Sequence, residues 1–205
     1  MKYTKVFHFN ELEITLHPDV YDPAEDSFLL LESIPIQKGI KFLEIGTGCG
    51  LLSLEASRKG AFVVCTDINP FAIQLAKTNI KNNKHLLKGS IEVRQGSLFS
   101  VIKKGERFDM IVFNPPYLPT GDTEHVDHWF DAATDGGSDG LMLIKKFIKD
   151  IKDFLSRNGQ AFFVFSSLSD KKILEQYLLH RAFTYTIVKS QNFGDETLSV
   201  YSLKS

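Results

Sequence analysis

Few external staples are available to this chain. Two cysteines, Cys49 and Cys65, occur among 205 residues, too few and too far apart for a disulfide framework or a zinc knuckle. They are expected to sit at strand ends as small buried hydrophobes, and the scarcity fits a reducing cytoplasmic compartment. No apolar run approaches the roughly 20 residues of a membrane helix, and the alternating N-terminus has no signal-type apolar stretch. Charge of one sign is also missing: 24 Lys and Arg against 25 Asp and Glu give a formal net charge of -1. No global positive field therefore draws in nucleic acid, and neither nucleic acid nor membrane is an expected partner. What remains is ordinary globular composition, 43% hydrophobic and 24% charged, long enough for one core without metal or disulfides.

The periodicity alternates strand and helix. Lys5 to Leu16 alternates about Asn10-Glu11, a hairpin pattern. Asp22 is positioned to cap a helix opened by Pro23, with Phe28, Leu30 and Leu31 as its apolar face and Pro35 as its stop. Short apolar runs at 41–45, 61–66, 91–94, 110–113 and 160–165 read as strands. Leu51 to Arg58, Pro70 to Ile80, 141–155 and Ile173 to Leu179 read as helices. Repeated strand–helix alternation predicts an α/β fold with a mostly parallel sheet covered on both faces. Phe183 to Lys189 and Leu198 to Leu203 read as a closing antiparallel pair. The irregular stretch from Leu118 to Asp139 is long enough to suggest a functional loop.

Chemistry concentrates at strand ends. Strand 41–45 runs into Gly46-Thr47-Gly48-Cys49-Gly50 and a helix, an arrangement that turns tightly and lets a ligand approach the backbone. The spacing is GxGxG rather than the dinucleotide GxGxxG, so alone it also fits an ordinary strand-to-helix turn. Asp67 ends the next strand, where an acidic residue can accept from ribose hydroxyls or cap a helix. Glu44 is a carboxylate inside an apolar strand, a position that requires a cationic or hydrogen-bonding partner such as a ligand amino group or water. Asn114-Pro115-Pro116-Tyr117 follows the strand at 110–113. The prolines remove two donors and stiffen the backbone. That leaves the Pro115 carbonyl and the Asn114 side-chain carbonyl as adjacent acceptors for an NH2 group, with Tyr117 as an aromatic wall. Such a site suits methylation of an amide or exocyclic amine through positioning rather than a strong base; a stiffened turn with a core tyrosine is the competing reading.

Glu44 to Gly50 with Asp67 resembles the S-adenosylmethionine (SAM) motifs of class I methyltransferases. The stretch Val20-Tyr21-Asp22-Pro23-Ala24-Glu25-Asp26-Ser27-Phe28-Leu29-Leu30 is similar to the signature of HemK-like release-factor glutamine methyltransferases, archaeal and eukaryotic branch. Asp135-Gly136-Gly137-Ser138-Asp139-Gly140 and Glu196-Thr197-Leu198-Ser199-Val200 strengthen that resemblance. It implies a Rossmann-like fold with a seven-stranded sheet, an antiparallel C-terminal pair and a short N-terminal hairpin, in one domain over 1–205 (hairpin and helix 1–35, catalytic core 36–205). It implies SAM as cofactor, near Ser27, Glu44, Gly46, Thr47, Gly48, Asp67, Ser97, Leu98 and Asn114, with Asn114 to Tyr117 binding a glutamine side chain. One departure is Ser97, where the family often has Asp; serine reaches the adenine amino group weakly or through water. The implied substrate is the GGQ glutamine of a translation termination factor, and the implied partner a small zinc-binding activator protein.

An adenine-N6 methyltransferase acting on DNA or RNA uses the same four-residue motif, but would need a basic groove and base flipping. A noncatalytic SAM-binding protein has no use for an intact Asn-Pro-Pro-Tyr. His125 and His128, with Asp127 and Asp131, lack a third firm ligand, so no metal site is expected; Trp129 and Phe130 suit an active-site lid. Lys81, Lys84 and Lys88 read as a solvated helix end.

Overall fold

A computed structural model describes residues 5–119 and 136–204. The order is β1 (Lys5–Phe9), β2 (Leu12–Leu16), α1 (Glu25–Ser33), β3 (Lys41–Ile45), α2 (Leu51–Arg58), β4 (Phe62–Asp67) and α3 (Pro70–Asn82). Then follow β5 (Ser90–Gln95), β6 (Phe108–Phe113), α4 (Met142–Asp150), β7 (Leu155–Ser166), α5 (Lys171–His180), β8 (Thr184–Phe193) and β9 (Glu196–Lys204). The main sheet has seven strands in the order β5-β4-β3-β6-β7-β9-β8. Its first five are mutually parallel, and β9 runs antiparallel between β7 and β8.

Alternation along the strands builds two apolar layers. Phe42, Val63, Cys65, Met110, Val112 and Phe162 face the side covered by α1, α2, α3 and the hairpin. Leu43, Ile45, Ile111, Phe113, Phe163 and Tyr201 face α4 and α5. Neighbours in sequence point to opposite faces, as a strand's two-residue period requires. Phe147 of α4 anchors the second layer against the rings of Phe99, Phe113 and Phe163.

The hairpin is present, with Asn10 in the left-handed region at φ 53°, which asparagine tolerates better than most residues. Its free edge is closed by side chains. Asn79 accepts from Thr15 N–H at 2.9 Å and donates to Thr15 O at 3.0 Å; Asn83, one helical turn on, does the same for Glu13 at 2.9 and 2.8 Å. Asn79 on α3 and Asn83 at its C-cap thus stand in for a third strand, pairing with alternate residues of β2.

Three sequence expectations shift. Ala24, not Asp22, precedes α1, and no side chain caps that helix; residues 20–23 stay non-helical because Val20, Tyr21 and Pro23 are used to line a cavity. Helix α4 stops at Asp150, and a 3-10 turn over Ile151–Asp153 follows. Leu155 opens β7 instead and joins the same apolar layer, so the apolar pattern outlasts the helix. Cys65 lies within β4 and Cys49 in the glycine turn rather than at strand ends; both are buried and free, with thiols pushed up to about 12 by burial. The proposed lid and His125, Asp127, His128, Trp129, Phe130 and Asp131 lie outside the described residues.

Candidate active site

Strand order reverses around β3, with β4 on one side and β6 on the other. In a parallel sheet such a switch point leaves a crevice at the carboxyl ends of the strands. A cavity of about 350 Å³ lies there, within the range of small-molecule sites. All twelve positions expected from sequence line it: Ser27, Glu44, Gly46, Thr47, Gly48, Asp67, Ser97, Leu98, Asn114, Pro115, Pro116 and Tyr117. They arrive from α1, from the ends of β3, β4 and β6, and from the turn after β5.

The turn after β3 depends on glycine. Gly46, Gly48 and Gly50 have φ of 68°, 54° and 88°, values that side chains resist. Glu44 organises the turn from below. It is 3% exposed, and its Oε2 accepts from Thr47 Oγ1 at 2.8 Å, from Ser53 N–H at 3.1 Å and from Ser53 Oγ. The partner that a buried carboxylate requires thus belongs to the chain itself, including an otherwise orphaned N–H in the first turn of α2. Burial pushes the Glu44 carboxyl up to about 7, against the lowering effect of those hydrogen bonds. Asp67 accepts from Gly48 N–H and Asn69 N–H, both at 2.9 Å. A carboxylate offers about four acceptor positions, so Asp67 keeps capacity for a ligand's hydroxyls. Burial raises its pKa, and the N–H groups of Gly48, Asn69 and Ile68 partly oppose the shift. Leu98 takes φ 49° at the far end of the cavity.

At the end of β6 the decisive group is the Asn114 amide. Its Nδ2 donates to Asp26 Oδ2 at 3.0 Å and Ser27 Oγ at 3.4 Å, so both protons have acceptors. Its Oδ1 is buried with no partner among the described residues. A buried unpaired acceptor costs about 1–3 kcal/mol and calls for an explanation, of which a ligand donor is one. The Pro115 carbonyl accepts no hydrogen bond among the described residues. Tyr117 is held by its hydroxyl on Asp26 Oδ2 at 3.2 Å, and burial, then that carboxylate, raises its pKa above the ordinary phenol range.

The two outlying motifs support this corner. Gly136 N–H donates to Leu118 O at 2.9 Å, and a Cβ on Gly140 would fall 2.0 Å from Ser169 Oγ and 2.5 Å from Tyr117 O. Thr197 exchanges hydrogen bonds with Ser167 at 2.8 and 2.9 Å, tying the start of β9 to the end of β7. Sequence reasoning missed Tyr21, Asp26 and Asn69, which also line the cavity. Asp26 belongs to the Val20 to Leu30 stretch, but nothing local in the sequence singles it out from its neighbours.

Glycine-opened backbone and spare acceptors on Asp67 fit an adenosyl cofactor carrying an amino acid chain, and the unpaired Asn114 oxygen is left for a second ligand. Together with the switch-point fold they define a class I SAM-dependent methyltransferase. Residues 12–194 match the methyltransferase small domain model, and the chain belongs to that family. It is 40% identical over 168 residues, 82% of each chain, to a Methanocaldococcus jannaschii protein provisionally named as a protein N5-glutamine methyltransferase. It is 34% identical over 191 residues to methyltransferase HEMK2 of Homo sapiens, covering 89% of this chain and 88% of that one. Among solved structures, the E. cuniculi Mtq2–Trm112 complex, described as responsible for methylation of the eRF1 translation termination factor, shares the fold. Its TM-score is 0.71 at 23% identity, over 91% of this chain and 99% of that one. No helix among the described residues is long and apolar enough to cross a membrane.

Proposed function

We propose that this enzyme methylates the side-chain amide nitrogen of the GGQ glutamine of a translation termination factor. Asn114 carries the reading: its NH2 is fully engaged with Asp26 and Ser27, and its oxygen has no donor among the described residues. Pro115 adds a carbonyl beside it. Two adjacent acceptors match the two protons of a carboxamide. The names of the relatives, one an N5-glutamine methyltransferase, support an amide as the acceptor.

An amide nitrogen is a poor nucleophile because its lone pair is delocalised. Accepting both protons favours a pyramidal nitrogen and stabilises the positive charge that grows on it. SAM supplies a methyl group on a sulfonium, an electrophile that needs only a correctly aimed lone pair. Transfer would form N–C as C–S breaks and would release one amide proton to solvent, so the site's residues need supply no strong base. Tyr117 offers a flat face to the planar group. Asp67 would take the cofactor's ribose hydroxyls, Gly46 and Gly48 would pass its methionine part, and Ser97 with the Leu98 N–H would border its adenine. Glu44, Thr47 and Ser27 shape the methionine end.

Residues 1–35 and 36–205 act as one catalytic domain, because Asp26 and Ser27 complete the Asn114 site. A small zinc-binding activator is the expected partner; the E. cuniculi neighbour was solved with Trm112. A termination factor as substrate supports a cytoplasmic location. The test is methyl transfer from labelled SAM, with candidate activator present, to the termination factor and to a variant lacking the GGQ glutamine. Label on the first alone supports the assignment. Equal label on both sinks it, and labelling of nucleic acid at a comparable rate favours adenine methylation.

A further inference from the structure

Asp26 is 3% exposed although it sits in the first turn of α1, where acids usually meet solvent. Its Oδ2 accepts from Tyr21 OH at 3.2 Å, Asn114 Nδ2 at 3.0 Å and Tyr117 OH at 3.2 Å. Its Oδ1 accepts from Ser27 N–H at 2.6 Å and Ser27 Oγ at 3.1 Å. Five donors converge on it, the environment of a carboxylate that only accepts. Asp26 and these four partners all line the cavity.

A carboxamide fits its site in two orientations that exchange oxygen and NH2. Against Asp26 only one is favourable, because the other sets the Asn114 oxygen against a carboxylate oxygen with no proton between them. We propose that Asp26 is a positioning residue for methyl transfer, which locks the Asn114 amide with its oxygen toward the substrate nitrogen and sets Tyr117 through the same carboxylate oxygen. This rests on reading Asn114 to Tyr117 as the amide-binding element. Tyr21 hangs on the same atom, so the stretch before α1 and the end of β6 are registered from one point.

The test is a charge-exchange cycle in the full chain with its activator. Asp26→Asn keeps the shape but has one oxygen for five donors, and its own NH2 no longer forbids the reversed Asn114 amide. It should lower kcat on the termination factor by about 100-fold, with the Kd for SAM within about threefold of wild type. Asn114→Asp, which opposes two carboxylates, should also fall. The double variant D26N/N114D restores a donor facing an acceptor and leaves an oxygen toward the substrate, so its kcat should exceed either single variant by at least tenfold. The side-chain NH2 resonance of Asn114, assigned by its loss in N114D, should exchange slowly in wild type and quickly in D26N. Wild-type kcat in D26N, or a double variant no better than the singles, would overturn the proposal. Loss of cooperative unfolding in both D26N and the double variant would show a folding role instead. If wild type does not methylate the termination factor, the substrate reading fails alone, and unchanged exchange of the Asn114 resonance in D26N still refutes the positioning role.

Discussion

Asn79 Nδ2 donates to the carbonyl of Cys49 at 2.8 Å, so the helix that holds the hairpin also holds the glycine turn. Asn79 is fully buried and has three backbone partners, Thr15 N–H, Thr15 O and Cys49 O. Asn83 bonds the hairpin through Glu13 and its own helix through Asn79 O, and does not bond the turn. Asn79→Ala should destabilise by about 3 kcal/mol, because buried backbone groups lose their partners, and should weaken SAM binding about tenfold. Asn83→Ala should destabilise while SAM affinity stays within about twofold. Calorimetric titration and thermal melts of the two variants check this; equal SAM affinity in both would separate the turn from Asn79.

The Glu44 carboxyl stands at about 7 in the fold against an ordinary 4.5. The folded chain therefore holds this proton more tightly than the unfolded chain does. Its stabilising contribution is complete below about pH 4.5 and is lost as pH rises through about 7. Melts of the SAM-free chain from pH 4 to 8 should show that decline, worth a few kcal/mol, superposed on the other titrations. Glu44→Gln should remove it, and identical pH slopes in the two proteins would refute the assignment.

Gly140 has φ 66°, and a Cβ there would fall 2.5 Å from the Tyr117 carbonyl. Gly140→Ala should displace the segment after Tyr117 and lower kcat by about tenfold or more, leaving the SAM pole intact. Steady-state kinetics with a parallel SAM titration measure this. Unaltered kcat would mean that the 136–140 turn does not set the position of Tyr117.

The parallel core is legible in the sequence because β3, β4 and β6 are apolar runs cut off by Gly46, Asp67 and Asn114, the residues that then line the cavity. What is not legible is long-range pairing. Asp26 shows no distinguishing mark in the sequence, because the groups that donate to it, Asn114 and Tyr117, lie 88 and 91 residues further on. Asn83 reads as part of a polar helix end until β2 packs its edge on it. The same effect moves the start of α1: local capping chemistry favours Asp22, but residues 20–23 are drawn out along the cavity wall.

The amide of Asn114 bears the most weight, and one substitution isolates it. In Asn114→Ala the oxygen expected to grip the substrate is gone, while Asp67 and the glycine turn are untouched. Turnover on the termination factor, measured beside the Kd for SAM, should fall at least about 100-fold, the scale of losing one preorganised polar contact to developing charge, with SAM affinity changed less than about fivefold. Wild-type turnover in that variant would contradict the account.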